Sequence, residues 1–166
     1  MYVSEFMKNR KSIRLKSFDY KRPGSYFVTA CILNHYNYFG HIHDGKMILN
    51  KYGEIAFQQF NWLSDKYSFV DVKIFKIMPN HIHAIIDIKP NNSGQVNLSL
   101  SQLMGAYKTR VSSAIRKIGL TEFAWQRSFY DHIIRNLHSY ENIANYIVNN
   151  PMNWEKDRFF THKPMA

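Results

Sequence analysis

Residues 69–78 (FVDVKIFKIM) alternate apolar and polar side chains, and residues 81–88 (HIHAIIDI) resume after Met78-Pro79-Asn80. Alternation with a period of two predicts strands, since successive side chains of a strand point to opposite faces. In the first strand Val70, Val72 and Ile74 are expected on one side, with Asp71 and Lys73 on the other. In the second, Ile82, Ala84, Ile86 and Ile88 share the face that fills a core, while His81, His83, Ile85 and Asp87 share the opposite one. Residues 25–33 (SYFVTACIL), rich in β-branched and aromatic side chains, read as another strand after Pro23-Gly24. Asp44-Gly45 between residues 39–42 and 47–49 is a hairpin turn signal.

The period changes after Asn50, a candidate cap. Tyr52, Ile55, Ala56, Phe60, Leu63 and Tyr67 recur at near-helical spacing. Ser99-Leu100-Ser101-Gln102 matches a capping box and opens a second helix. Its stripe is Leu100, Leu103, Met104, Tyr107, Val111, Ala114, Ile115 and Ile118, with Lys108, Arg110, Arg116 and Lys117 off it. A polar loop at 89–98 precedes that helix. A short strand at 129–135 and a last helix at 139–150, ended by Pro151, complete the chain. The order is strand, hairpin, helix, strand, strand, helix, strand, helix. That predicts an α+β fold: a ferredoxin-like antiparallel sheet with helices packed on it, plus a β-hairpin insertion and a C-terminal helix.

At 166 residues the chain has the length of one domain, and 45% hydrophobic residues exclude global disorder. Charge adds more. Lys and Arg exceed Asp and Glu by ten, and an anionic partner, nucleic acid or membrane, is the first expectation. Residues 1–22 hold seven cationic residues against Glu5 and Asp19, half of the net charge. They read as a basic N-terminal arm able to track phosphates, or as a solvated terminus, with residues 23–166 as the domain proper. No apolar run approaches the ~20 residues of a membrane span, and the first twenty residues lack the apolar stretch of a signal peptide. The lone Cys31 cannot form an internal disulfide. These features point to a cytoplasmic location.

Three constellations carry candidate chemistry. His81 and His83 lie at i and i+2 of a strand, on one face and roughly 6.6–6.8 Å apart along the backbone. That spacing suits either a shared divalent cation or two solvated imidazoles. His41 and His43 have the same spacing but abut the hairpin turn, where exposed histidines need no function. In the last helix Ile143, Ala144, Ile147 and Val148 are the expected buried stripe. Tyr146 points about 130° from its centre, and Asn150, at i+4, reaches the same locus. Packing against another element, or a half-exposed tyrosine, is the alternative here. In residues 125–135 (WQRSFYDHIIR), Trp125, Phe129 and Tyr130 suit either base stacking or, for the first two, the core.

MPNHIHAII at 78–86, WQRSFYDHIIRN at 125–136 and YIVNNP at 146–151 together resemble the single-tyrosine HUH transposases. The likeness is greatest to the REP-associated tyrosine transposases (RAYT, IS200-like). It extends from about Tyr20 to Trp154. YFVTACI at 26–32, the hairpin and SLSQLMGAYKTRV at 99–111 contribute to it. The resemblance implies that Tyr146 is catalytic and that His81, His83 and Asn150 are metal ligands. The implied cofactor is a divalent metal ion, Mg²⁺ or Mn²⁺, with zinc admissible by ligand type. Such a site would nick single-stranded DNA through a covalent 5′-phosphotyrosine and transfer the strand, probing hairpin or palindromic repeats as substrate. The alternative is a catalytically silent, domesticated protein that binds structured DNA or RNA. Lys8, Arg10, Lys11, Arg14, Lys108, Arg110, Arg127 and Arg135 are the candidate DNA contacts. The resemblance is compatible with a monomer or a homodimer, and no membrane partner is expected.

Overall fold

Strands β1 (Gly24–Cys31), β4 (Val70–Ile77), β5 (His81–Ile88) and β6 (Tyr130–Ile134) form one antiparallel sheet in the order β4-β5-β1-β6. These come from a computed structural model that describes residues 19–162 apart from 93 and 95. Helix α1 (Lys51–Lys66) joins β1 to β4 by way of a separate hairpin, β2 (Gly40–His43) and β3 (Lys46–Leu49). Helix α2 (Leu100–Lys117) joins β5 to β6, and α3 (Leu137–Asn149) follows β6. Without the hairpin and α3 the order is β-α-β-β-α-β with the first and third strands central, the ferredoxin-like plan expected from the patterning. Among the described residues, no helix is long and apolar enough to cross a membrane.

Local chemistry starts each helix where the sequence indicates. The Asn50 side chain accepts from the backbone N–H groups of Tyr52 and Gly53, and its amide donates to the Tyr38 carbonyl. That second bond ties the root of the hairpin to α1. Gly53 is required there: a Cβ would stand 2.3 Å from the Phe39 carbonyl oxygen. Ser99 and Gln102 close the capping box of α2. Helices α1 and α2 cover one face of the sheet. Phe60 and Tyr107 stack between them at 4.1 Å, over Val28, Ala30, Ile82, Ala84 and Ile86.

Helix α3 covers the opposite face. Ile147 packs there on Ile85 and Ile134, with Phe27, Ile74, Tyr140, Ile143 and Ala144 at the margin. Two expectations change here. Ile74 does not share a side with Val70 and Val72, because a register shift between Asp71 and Ile74 turns the strand over. Ile74 then meets α3 and Phe75 packs into the main core. Val148 is not part of the buried stripe of α3 but is 58% exposed. The helix seats on Tyr140, Ile143, Ala144 and Ile147, a stripe one turn nearer its start.

Candidate active site

Strand β5 runs between β4 and β1, and both of its faces are roofed by helices. Its alternation therefore buries both histidines: His81 is 0% and His83 1% exposed. Their Nε2 atoms converge to 3.0 Å. The same-face pattern expected from spacing is present, sheltered by α3 and residues 150–160.

The surroundings determine which ring nitrogen faces inward. The Asn80 amide donates to the carbonyls of His35 (3.3 Å) and Phe159 (2.8 Å). Its Oδ1 is thereby left to accept, and it lies 2.8 Å from His81 Nδ1. His81 thus carries its proton on Nδ1 and offers a lone pair at Nε2. His83 Nδ1 lies 2.8 Å from Thr29 Oγ1, its register partner on β1. A hydroxyl both donates and accepts, so this pairing serves either tautomer of His83.

Helix α3 brings Tyr146 over the pair, its Oη 3.3 Å from His83 Nε2. The phenol is half-buried and its ring meets His83 at 5.2 Å. One turn later Asn150 is 2% exposed. Its amide donates to Asp157 Oδ2 at 2.8 Å, while Asp157 Oδ1 accepts from the Phe159 N–H at 2.7 Å. Asn150 Oδ1 is buried without a hydrogen-bond partner. An orphaned buried acceptor costs about 1–3 kcal/mol, which a cation at that oxygen would offset.

A carboxylate joins the donor set that the sequence suggested. One ligand atom each from His81, His83 and Asp157 lie within 4.8 Å of one another. Two imidazole nitrogens and a carboxylate fit a divalent cation, and Asn150, bonded to that carboxylate, carries a free amide oxygen. Cys31, opposite His81 in register, is no rival donor: burial pushes its thiol up to about 12.

Electrostatics agree with that fit. Burial pushes His81 down to about 3, with His35 and Arg158 adding to it. Burial, then neighbouring His81, holds His83 well below its usual value. Both imidazoles are therefore neutral at pH 7, the state a metal requires. Tyr146 is raised, first by burial and then by the Asp157 charge, with Arg158 acting against that.

The candidate DNA contacts are scattered. Lys8, Arg10, Lys11 and Arg14 fall outside the described residues. Lys108 Nζ donates to the Gln126 carbonyl at 2.6 Å, and Arg110 lies 4.0 Å above Trp62 while bonding Gln59. Both are on α2, across the sheet from the histidines. Arg127 and Arg135 are exposed on either side of β6. Of the three aromatic candidates, Trp125 is core, Phe129 is partly buried against it, and Tyr130 is 37% exposed.

Asp157, Asn80, Thr29 and Arg158 carried no signal strong enough to single them out. Asn80 was legible only as part of the Met78-Pro79-Asn80 break. Asp157 follows a 3-10 segment, Asn150–Lys156, with a non-helical residue at Asn153, so no periodicity relates it to Tyr146.

The fold and site define a class: a split β-α-β sheet with a buried histidine pair under a tyrosine-bearing helix. Residues 46–150 match the family described as "Transposase IS200 like", well over half of the chain, and the protein belongs to that family. It is thus a member of a family of DNA-transposing enzymes. A protein of Haemophilus influenzae, described as uncharacterized, is 38% identical over 168 residues, covering 92% of this chain and 93% of its own. The solved structure of a REP-associated tyrosine transposase bound to a REP hairpin matches with a TM-score of 0.62 at 20% identity. That match covers 85% of this chain and 74% of the other, and it shows a shared fold.

Proposed function

We propose that this protein is a metal-dependent endonuclease and strand transferase for single-stranded DNA, of the single-tyrosine HUH kind and REP-associated. The observation that carries the reading is the approach of Tyr146 Oη to His83 Nε2, 3.3 Å within one chain. A hairpin or palindromic repeat is the proposed substrate, in keeping with the hairpin bound by the solved relative.

His81, His83 and the free oxygen of Asn150 would hold Mg²⁺ or Mn²⁺, with Asp157 in reach of the same point. Bound there, the cation would supply charge neutralisation and polarise the scissile phosphate. The chain's own residues do the rest. Tyr146 attacks phosphorus, the bond to the 3′ oxygen breaks, and a 5′-phosphotyrosine forms. The phenolic proton leaves toward the Asp157 carboxylate, whose charge already acts on it. The departing 3′ oxygen takes up a proton, so none is consumed overall. Attack by another 3′-hydroxyl reverses the step and rejoins strands without water or a nucleotide cofactor. Tyr146 lies against His83 of its own chain, and the proposed attack is made in cis.

The test is incubation with hairpin DNA and Mn²⁺, followed by a denaturing gel. A covalent adduct is expected, and Tyr146→Phe should reduce it on the order of a thousandfold or more. An adduct that persists in Tyr146→Phe sinks the assignment. Hairpin binding that survives both EDTA and Tyr146→Phe, with no cleavage by the parent, would identify the silent binding protein instead.

A further inference from the structure

A cleft of about 490 Å³ lies at the β6 edge of the sheet, within the size range of ligand sites. Tyr20, Tyr130, Asp131, His132, Arg135 and Asn136 line it. None of them belongs to the histidine and tyrosine site.

The register connects the two. Tyr130 lies opposite Thr29, and Thr29 lies opposite His83. Partners across a ladder point to the same face, so Tyr130 and His83 share a face two strand spacings apart, roughly 9.5 Å. Phe27 fills the gap between them. Its ring centre is 5.5 Å from that of His83 and 6.2 Å from those of both Tyr146 and Tyr130. A continuous aromatic floor thus leads from the nucleophile to the cleft.

A cation stands over that floor. The Arg158 guanidinium is 5.8 Å from the Tyr130 ring and 4.5 Å from Phe159, which packs on His81. An exposed aromatic face with a cation beside it suits one unpaired nucleotide. The larger cleft, between the hairpin and residues 151–156, offers Asp44 and Glu155 to the solvent side and suits a polyanion less.

We infer that the β6-edge cleft holds an unpaired nucleotide flanking the scissile phosphate, its base stacked on Tyr130 and its phosphate against Arg158. This rests on the proposed strand-transferase reading for the position of the scissile phosphate. His132, which shares the Tyr130 face of β6, and Asn136 then border the base, and β6 directs the flanking strand out of the site.

The probe is a labelled DNA hairpin with an oligothymidine flank on each side, since base stacking tolerates any sequence. Binding is measured by anisotropy in the Tyr146→Phe background, with abasic replacements moved one position at a time. One flank position is expected where the abasic change weakens binding about 5- to 150-fold. Tyr130→Ala should weaken the intact probe similarly, add nothing on that abasic probe, and be rescued by Tyr130→Phe. Arg158→Gln should lower the salt slope by about one. Failure of the probe to bind, no loss in Tyr130→Ala, or a loss that adds equally at every position overturns the cleft assignment. Adduct formation by the parent is scored separately. Adducts without this coupling refute the cleft alone, and coupling without adducts refutes the transferase reading alone.

Discussion

His41-Ile42-His43 and His81-Ile82-His83 are the same tripeptide, both on strands, and they reach opposite ends. On β2, which among the described residues pairs only with β3, both histidines of the first are exposed. His43 Nε2 makes a 3.4 Å contact with Asp44 in side chains that are 72% and 86% exposed, a pairing of little energetic weight. On β5 the second pair has a strand on either side and helices over both faces. Burial removes the charge, Asn80 and Thr29 orient the rings, and the two Nε2 atoms converge. Spacing sets which face a histidine takes. Whether that face becomes a site depends on what covers it.

The comparison is broken most directly by exchanging the roles of the pairs. His81→Ala should weaken Mn²⁺ affinity by more than about a hundredfold and abolish the DNA adduct. His41→Ala and His43→Ala should leave both unchanged and alter stability by no more than about 0.5 kcal/mol. Calorimetric titration with Mn²⁺ checks this, and an inverted result would move the metal to the hairpin.

A smaller loss is expected from the groups that only the second pair possesses. Asn80→Ala and Asp157→Asn should each lower Mn²⁺ affinity about tenfold to a hundredfold, because they orient or neutralise the ligands. Unchanged affinity in Asp157→Asn would return the site to the neutral donor set of two imidazoles and an amide.

Taken one pH unit at a time, the effect on stability is the smallest. His81 falls from its usual 6.5 to about 3 in the folded chain, so the unfolded chain binds more protons between those values. Its contribution is fully present above pH 6.5 and is lost as pH falls toward 3. In metal-free protein, urea melts should show stability falling over that window by up to about 1.4 kcal/mol per pH unit for this residue. The slope should shrink in His81→Gln but persist in His41→Gln. Equal slopes in parent and His81→Gln would mean that the imidazole is not buried neutral.

Much of this molecule is legible from local rules. The caps at Asn50 and Ser99 lie where short-range hydrogen bonds dictate, and β5 divides its faces as its period of two requires. Strand β4 departs from its pattern at the register shift between Asp71 and Ile74, where pairing with β5 is interrupted. Val148 lies outside the buried stripe of α3, and Tyr140, nearer the helix start and amphipathic, packs within it.

Elements, the histidine face and the tyrosine four residues before Asn150 were thus properties of the chain itself, since each rests on contacts within a few residues. The burial and convergence of the second histidine pair, the entry of Asp157, and the closeness of Tyr146 to His83 belong to the folded molecule. They join positions such as 29 with 83, 80 with 159 and 83 with 146, which no periodicity links. Strand pairing, together with packing of the buried sheet face against α3 and residues 150–160, brings those distant groups together and excludes the water that would otherwise solvate them.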